Sequence, residues 1–551
     1  MSKNLGELSG RQGLNNSLFE KIGIISEKEP SIEDFEKLAR EFKMGTANVY
    51  GASTFYDFTK ASNQGKKAYI CNGSACLTAG TQGKTKEFLL KHFNENEIGE
   101  MCCLGRCYEN NAYQINGFNY SGPDSLKNET FDGRSSNLSY FVKALGTNIL
   151  TSSTLGDLKS IKEYITDLLN EKSDILLENV KKSNVRGRGG AGFPMHIKLE
   201  SFKNALSKDG NKFVVCNADE GDPGAFSDRY LLEYQPYKVL FGMMMAGYIA
   251  GANWGVLYIR AEYPECIATI QKCIDDLTKD GFIGSHILNT NFSFYFKIIA
   301  AKGAYICGEE TALISSIEGQ RPEVRVRPPY PVQEGLFNKP TLVQNVETLA
   351  CLPFIFKNGG DAFADVGTER SKGTKLVSLD GHVVNSGMYE VDMGTSLSTL
   401  IFDIAQGFKS PVKALHIGGP LGGLVPIEKI NDLTIDFESF SEQGFLLGHA
   451  SVVCIPSEFP LIQYLAHLFE FTAHESCGKC FPCRLGSVRG AELLHKAQHD
   501  TYQIDPELFY DLINTMEKGS LCALGGGLPL PIKNALHYFK SELSSFFSNP
   551  L

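Results

Sequence analysis

No stretch of this chain reaches the roughly eighteen consecutive apolar residues of a membrane-spanning helix. The longest candidate begins at Val239, but glycines and Asn253 interrupt it and Arg260 and Glu262 close it. It predicts a buried helix followed by a buried strand, with no direct membrane insertion. The first residues, M-S-K-N-L-G-E-L-S-G-R-Q, carry no apolar run behind their charges, so no secretory signal is expected. Positive charge is also short: 53 Lys and Arg stand against 63 Asp and Glu, a net charge of -10, which argues against a nucleic-acid partner. The fifteen cysteines cluster with ligand-like spacing, unlike a disulfide framework, so reduced thiols in a cytoplasmic protein are expected. The length of 551 residues exceeds one core and predicts roughly three to five domains.

Cysteine spacing is the most specific signal present. Cys477, Cys480 and Cys483 lie in E-S-C-G-K-C-F-P-C-R, and Cys522 follows in G-S-L-C-A-L-G. Three thiolates on one tight turn, closed by a distant fourth, form a ligand set for a [4Fe–4S] cluster. Zinc also accepts four thiolates, usually as two separated C-x-x-C pairs, so the spacing favours the cubane. Lys479 and Arg484 flank these ligands, either as charges that ease electron acceptance or as a solvated rim. A second set, Cys71, Cys76, Cys103 and Cys107, has the spacing of a [2Fe–2S] site. There the competing reading is a group of structural thiols, and Cys102 is either a free thiol or a replacement for Cys103.

The chain divides into five segments. Residues 1–65 are a helical appendage, with a capped helix over 31–40. Residues 66–125 hold the second cysteine set, a strand at 67–70, a helix near 83–94 and a hairpin at an Asn-Gly turn. Residues 126–370 alternate strands and helices, with Phe213–Asn217 and Trp254–Arg260 as central strands of an α/β sheet. Residues 371–455 have short strands and one helix near 397–407, and residues 456–551 form a helical tail around the first cysteine set.

The α/β segment carries the binding signals. Arg186-Gly187-Arg188-Gly189-Gly190-Ala191-Gly192-Phe193-Pro194 lets backbone amides approach a phosphate, with two guanidinium forks nearby; the bland alternative is a flexible turn. Asn217, Asp219, Glu220 and Asp222 follow a strand, at the carboxyl edge where α/β sheets bind ligands. Gly303–Cys307 reads as another apolar strand, followed by Gly308 and by Glu309 and Glu310 opening a helix. Acids at a helix start also satisfy the dipole alone. Arg321, Arg325 and Arg327 precede a proline-rich loop ending near Tyr330, and Gln344 and Asn345 offer amides.

Taken in order, R-G-R-G-G-A-G-F-P, N-A-D-E-G, Y-I-C-G-E-E-T-A-L, Q-N-V-E-T and S-C-G-K-C-F-P-C-R resemble the flavoprotein subunit of NADH-oxidising complexes over about 130–551. That family includes the 51-kilodalton-type subunit of respiratory complex I and the diaphorase subunits of NAD-linked hydrogenases and formate dehydrogenases. The resemblance implies FMN at Gly187, Arg188, Gly189, Gly190, Lys198, Asn217, Asp219, Glu220, Gly308, Glu309, Gln344, Asn345 and Thr348. It implies NAD(H) at Phe193, Asp222, Glu310, Arg327 and Tyr330. It implies a multidomain α/β fold: a thioredoxin-like [2Fe–2S] domain, a Rossmann-like FMN domain, a β-grasp domain and a helical [4Fe–4S] bundle. The sequence departs from the family pattern at Met195-His196, Leu199, Asp222 and Arg327.

The implied activity is an NADH:acceptor oxidoreductase in which no nucleophile or acid–base triad is needed and no catalytic role falls to the histidines; His474 is read as ordering a loop. FMN converts a hydride pair into single electrons for the clusters. The expected partners are a small thioredoxin-like or ferredoxin-like [2Fe–2S] subunit and a larger metal-containing catalytic subunit. Two alternatives are an electron-bifurcating module and a structural subunit with a degenerate flavin site.

Overall fold

The computed structural model describes residues 13–27, 30–127, 131, 140–499 and 501–550. Residues 1–12, the segment without an apolar run, lie outside that set. No helix among the described residues is long and apolar enough to cross a membrane.

Three short helices, Leu18–Ile25, Ile32–Glu41 and Thr46–Ser53, come first among the described residues. The second starts at the expected cap: Ser31 accepts from the Asp34 amide, and Asp34 returns the bond to the Ser31 amide. Phe35, Leu38 and Phe42 share one face and pack on Leu18, Ile22 and Val49. The following segment is fastened to the large unit by Asp57 N to Gly303 O at 2.7 Å and Tyr56 to Ser316 at 2.8 Å.

A four-stranded sheet comes next: β1 (Ala68–Cys71), β2 (Ile98–Met101), β3 (Tyr113–Ile115) and β4 (Phe118–Tyr120), in the order β2-β1-β3-β4. β1 runs parallel to β2 and antiparallel to β3. Asn116 and Gly117 both take positive φ (51° and 82°), so the expected hairpin turns where the Asn-Gly pair permits it. The helix expected near 83–94 covers Gln82–Leu89, after a short helix at Ser74–Thr78.

The strand β5 (Phe141–Leu145) pairs in parallel with Gly387–Asp392, far along the chain. It belongs to the sheet of the 371–455 segment. Its side chains are mostly exposed, so it carries no buried strand pattern and is recruited through its backbone.

The large unit is a parallel sheet of β6 (Phe213–Ala218), β7 (Trp254–Arg260), β8 (Tyr295–Ala301) and β9 (Thr341–Asn345), in the order β8-β7-β6-β9. β6 and β7 are central, as expected, and nearly continuous apolar runs bury both faces. Helix Pro236–Ala250 is buried along almost its whole length, which accounts for its unbroken apolar character. Strand order reverses between β6 and β9, so their carboxyl ends, at Asn217 and Asn345, sit side by side at a switch point. The stretch Gly303–Cys307 is not the expected strand. β8 has ended at Ala301, Gly303 turns at φ 80°, and residues 305–308 wind into a short helical turn held by Tyr305 N to Glu475 at 2.7 Å.

The third sheet contains β10 (Thr374–Leu379), β11 (Gly387–Asp392), β12 (Val412–Ile417), β13 (Gly423–Pro426) and β14 (Ser451–Pro456), with β5 at its edge, in the order β13-β12-β14-β10-β11-β5. The helix expected near 397–407 is a single widened helix, Thr399–Ile404, stopped by left-handed Gln406 and Gly407. The tail is helical as expected. Leu461–Glu475 leads to the cysteine turn, and Phe481–His499 folds back along it over Leu465, Leu468, Phe469, Leu493 and Leu494.

Candidate functional site

The glycine-rich loop bridges helix Ser173–Ser183 and helix Met195–Asn204 and doubles back on itself, with Gly187 N donating to Phe193 O at 2.8 Å. Its floor is the carboxyl end of β9. Arg188 N donates to Thr348 Oγ1 at 2.8 Å, and a Cβ on Gly189 would stand 3.1 Å from Asn345 Cβ. Gly190, at φ 119°, faces the Gly448 backbone. The two guanidinium forks do not face a ligand cleft. Arg188 is wholly buried and donates to the Lys372 carbonyl, while Arg186 pairs with Glu438 at 2.6 Å and lies over Phe437. Glycine backbone, with no arginine fork, is what the loop presents.

The carboxyl ends of the strands bring the expected acids and amides together, in differing roles. Asn217 donates to Gly308 O at 2.8 Å and accepts from Asp219 N at 3.2 Å. Asp219 is buried with Oδ2 unpartnered, and burial pushes its carboxyl well above the usual range. Glu220 accepts from the Asp228 and Arg229 amides and from Tyr263, while burial, then Asp228, pushes its carboxyl up to about 8. Asp222 accepts from Tyr305 at 2.7 Å. Glu309 caps helix Glu310–Ile317 through the Thr311 and Ala312 amides, so the dipole reading holds for its side chain. Asn345 caps Val346–Ala350 and donates to Asp228 at 2.8 Å, whereas Gln344 Nε2 is buried without a partner.

A charged group borders this floor. Lys198 reaches Glu310 at 2.7 Å and Val343 O at 3.2 Å, and Arg327 reaches Glu310 at 3.1 Å. Phe193 and Tyr330 stand at the surface, 48% and 53% exposed. Arg325 is held by Glu318 at 2.8 Å, and Arg321 lies over Phe55 of the N-terminal segment. A cavity of about 830 Å³ opens between 206–209 and the 325–340 loop, but no residue of the glycine-rich loop lines it.

Cys477, Cys480, Cys483 and Cys522 lie with Leu524 in one apolar cluster that includes Val215 of β6, Val343 of β9, Cys307 and helix residues Ala312 and Leu313. This packing sets the thiol quartet against the large sheet. Burial pushes Cys483 up to about 11 and Cys522 up to about 12, so proton loss there is unfavourable without a cation. Lys479 donates to Val324 O at 2.7 Å and Arg484 to Gly478 O at 3.0 Å, so both brace the turn. His474 hydrogen-bonds Asp57 at 3.0 Å, tying the cluster helix to the N-terminal segment.

The second quartet is buried between the small sheet and the large unit. Cys103 and Cys107 sulfurs lie 3.7 Å apart, close to the separation of about 3.8 Å between two thiolates on one tetrahedral ion. Hydrogen bonding with Cys107 lowers the Cys103 thiol, but Cys71 and burial outweigh it and hold it at about 12. Gly224 N donates to Cys107 Sγ at 3.2 Å, so this quartet touches the loop that carries Asp222. Cys102 lines a small polar cavity with Asp57, Asp219, Arg260, Glu262 and Glu475. Sequence patterns did not reveal His449 or Asp228, and gave Tyr305 and Arg260 only as strand residues.

Comparison with known proteins agrees with this geometry. The Nuo51 FMN-binding domain matches residues 180–353, which span the glycine-rich loop and the parallel sheet. The NADH-ubiquinone oxidoreductase-F iron-sulfur binding region matches residues 463–545, which contain the C-terminal quartet. The NADP-reducing hydrogenase subunit HndC of Solidesulfovibrio fructosivorans is 42% identical over 398 residues, covering 70% of this chain and 80% of that protein. An NADH-quinone oxidoreductase subunit of Rhizobium meliloti (strain 1021) is 39% identical over 372 residues, covering 67% and 88%. A chain of an NAD+-reducing [NiFe]-hydrogenase in the air-oxidized state superposes with a TM-score of 0.82 at 25% identity, over 96% of this chain and 93% of that one. The chain therefore belongs to the family of Nuo51-type subunits that occur in NADH-quinone oxidoreductases and in NAD(P)-reducing hydrogenases.

Proposed function

We propose that this chain is an NADH:acceptor oxidoreductase (diaphorase) subunit that carries FMN on the glycine-rich loop and passes electrons through iron–sulfur clusters to a partner catalytic subunit. The observation that carries this reading is the shared core: the C-terminal thiol quartet packs on the strands and helix whose ends form the loop's floor. FMN bound there supplies the exchange between a hydride pair and single electrons. The residues fit such a group. Glycine at 189 leaves room against Asn345, and the orphaned Asp219 Oδ2 and Gln344 Nε2 have hydrogen-bonding capacity for a polar ligand.

In this reading Gly189 and Gly190 contribute backbone amides, Gly187 and Arg188 fix the loop through their own amides to Phe193 O and Thr348 Oγ1, and Lys198 contributes charge. Asn217, Asp219, Glu220, Gly308, Glu309, Gln344, Asn345 and Thr348 orient the pocket, several of them by fixing its backbone. Phe193 and Tyr330 offer half-exposed rings to a nicotinamide or adenine face, with Glu310, Arg327 and Asp222 on its polar side. Cys477, Cys480, Cys483 and Cys522 hold a [4Fe–4S] cluster. Cys71, Cys76, Cys103 and Cys107 hold a [2Fe–2S] cluster in a thioredoxin-like unit, and residues 371–455 with β5 form a β-grasp unit. The hydrogenase relatives support a metal-containing catalytic partner, and the free cysteines suit a reducing, cytoplasmic setting. Docking of that partner is supported by Phe481, Leu485 and Val488, which are 68%, 58% and 46% exposed at helical spacing beside the cluster ligands.

The test is Gly189→Val. The purified variant is expected to retain wild-type iron and lose FMN together with NADH-driven dye reduction. Equal flavin content in variant and wild type contradicts the site.

A further inference from the structure

His449 lies in the turn before β14, outside every motif of the sequence, and is 6% exposed. Neither ring nitrogen makes a hydrogen bond. Its Nε2 stands 3.6 Å from Asp228 Oδ2 and 3.9 Å from Glu220 Oε1. Asp228 Oδ2 also accepts from Asn345 Nδ2 at 2.8 Å, and Asn345 underlies Gly189. The neighbouring Gly448 backbone faces Gly190. The third sheet therefore reaches the glycine-rich loop at two adjacent residues: Gly448 touches it, and His449 sits behind its floor.

A metal ion does not explain this cluster, although the three ligand atoms lie within 4.8 Å of one another. Glu220 already accepts from Ser227, Asp228 N, Arg229 N and Tyr263. A carboxylate saturated in this way has no lone pair left for a metal. An imidazolium between two acids does fit. Burial pulls the ring down, but Asp228 outweighs it and the pKa settles at about 9. The charged groups facing the ring are Asp228 on its helix, Glu220 and Asp222 on the loop after β6, and Lys375 on β10, which opposes the charge.

We propose that His449 is a positioning residue for the flavin: as a buried cation it pins Asp228, and through it Asn345, and it places a fixed positive charge behind the flavin floor. The inference rests on the FMN reading above and adds a residue from a different sheet. A positive charge there favours the reduced, more negative flavin, so it raises the flavin potential. Pinning Asn345 slows FMN loss.

The test compares wild type, His449→Gln and His449→Lys, all purified with full iron and checked by melting. The FMN midpoint potential is measured by dye-mediated titration and FMN release by fluorescence after dilution. His449→Gln is expected to shift the potential negative and to release FMN on the order of tenfold faster. His449→Lys is expected to restore the potential, which a purely space-filling role does not. If the Gln variant fails to fold, His449→Asn takes its place and is read by the same two measurements. A folded His449→Gln variant with wild-type potential and release overturns the proposal alone. A wild type that binds no FMN overturns the flavin reading and this one with it.

Discussion

Glu347 and Lys375 form an ion pair with no solvent exposure, joining the helix behind the loop floor to β10. Glu347 also accepts from Leu376 N at 3.0 Å, and Lys375 donates to Leu376 O at 3.0 Å. Glu347→Ala leaves a buried ammonium uncompensated, which costs about 3–5 kcal/mol. A denaturant melt is expected to show that loss, and a change below about 1 kcal/mol contradicts it. His416 gives a pH signature. It is 2% exposed, bonded to Tyr464 at 2.7 Å, and burial lowers it from 6.5 to about 4. The unfolded chain binds this proton more tightly, so the contribution is present above pH 6.5 and is lost as pH falls towards 4. Its upper size is roughly 3 kcal/mol. His416→Asn is expected to flatten the slope of stability in that window, and a parallel slope in variant and wild type counts against it. The cysteines and loop glycines were legible in the sequence because their chemistry depends on short local spacing. His449 and Asp228 were not, since folding joins residues more than two hundred positions apart.

Glu390 on β11 shows how an element can be assembled without a pattern in its own sequence. Its carboxylate accepts from the Ile149, Leu150 and Thr151 amides at 2.8, 2.7 and 2.8 Å, and Asp392 accepts from Thr147 N at 2.8 Å. Lys238 fixes the carbonyls of the same turn at 2.7–2.9 Å. These bonds hold β5 at the edge of the third sheet. Glu390→Ala is expected to cost about 3 kcal/mol and to raise amide exchange over 141–151, while flavin content stays unchanged. Unaltered exchange there contradicts the assignment. This also explains the unexpected placement of β5: its side chains are mostly exposed, and the acids that hold the turn after it lie on one distant strand, β11. The buried helix at 236–250 and the strands β6 and β7 were legible because their burial leaves apolar runs. The false strand at 303–307 has the same composition, but a left-handed glycine and a bond from Tyr305 to Glu475 wind it into a turn.

At the scale of the whole molecule, two thiol quartets bracket the carboxyl edge of the parallel sheet. One packs beneath it with β6 and β9, and the other touches Gly224 at the end of the acidic loop. The arrangement suits electrons entering at the flavin and leaving through the C-terminal cage, below the exposed face of helix Phe481–His499. Cys480→Ser is expected to remove the [4Fe–4S] signal while FMN remains bound and NADH still bleaches it, because the hydrogen bonds that fix the loop floor, Arg188 N to Thr348 and Asn345 to Asp228, involve no cage residue. Anaerobic titration of the purified wild-type chain with NADH, followed by flavin absorbance and low-temperature electron paramagnetic resonance in the same samples, should show bleaching of the flavin accompanied by a reduced [4Fe–4S] signal that is missing in Cys480→Ser. Flavin that bleaches without any cluster signal, or iron-replete protein that NADH leaves unchanged, contradicts an electron path from the glycine-rich loop to the cysteine cage.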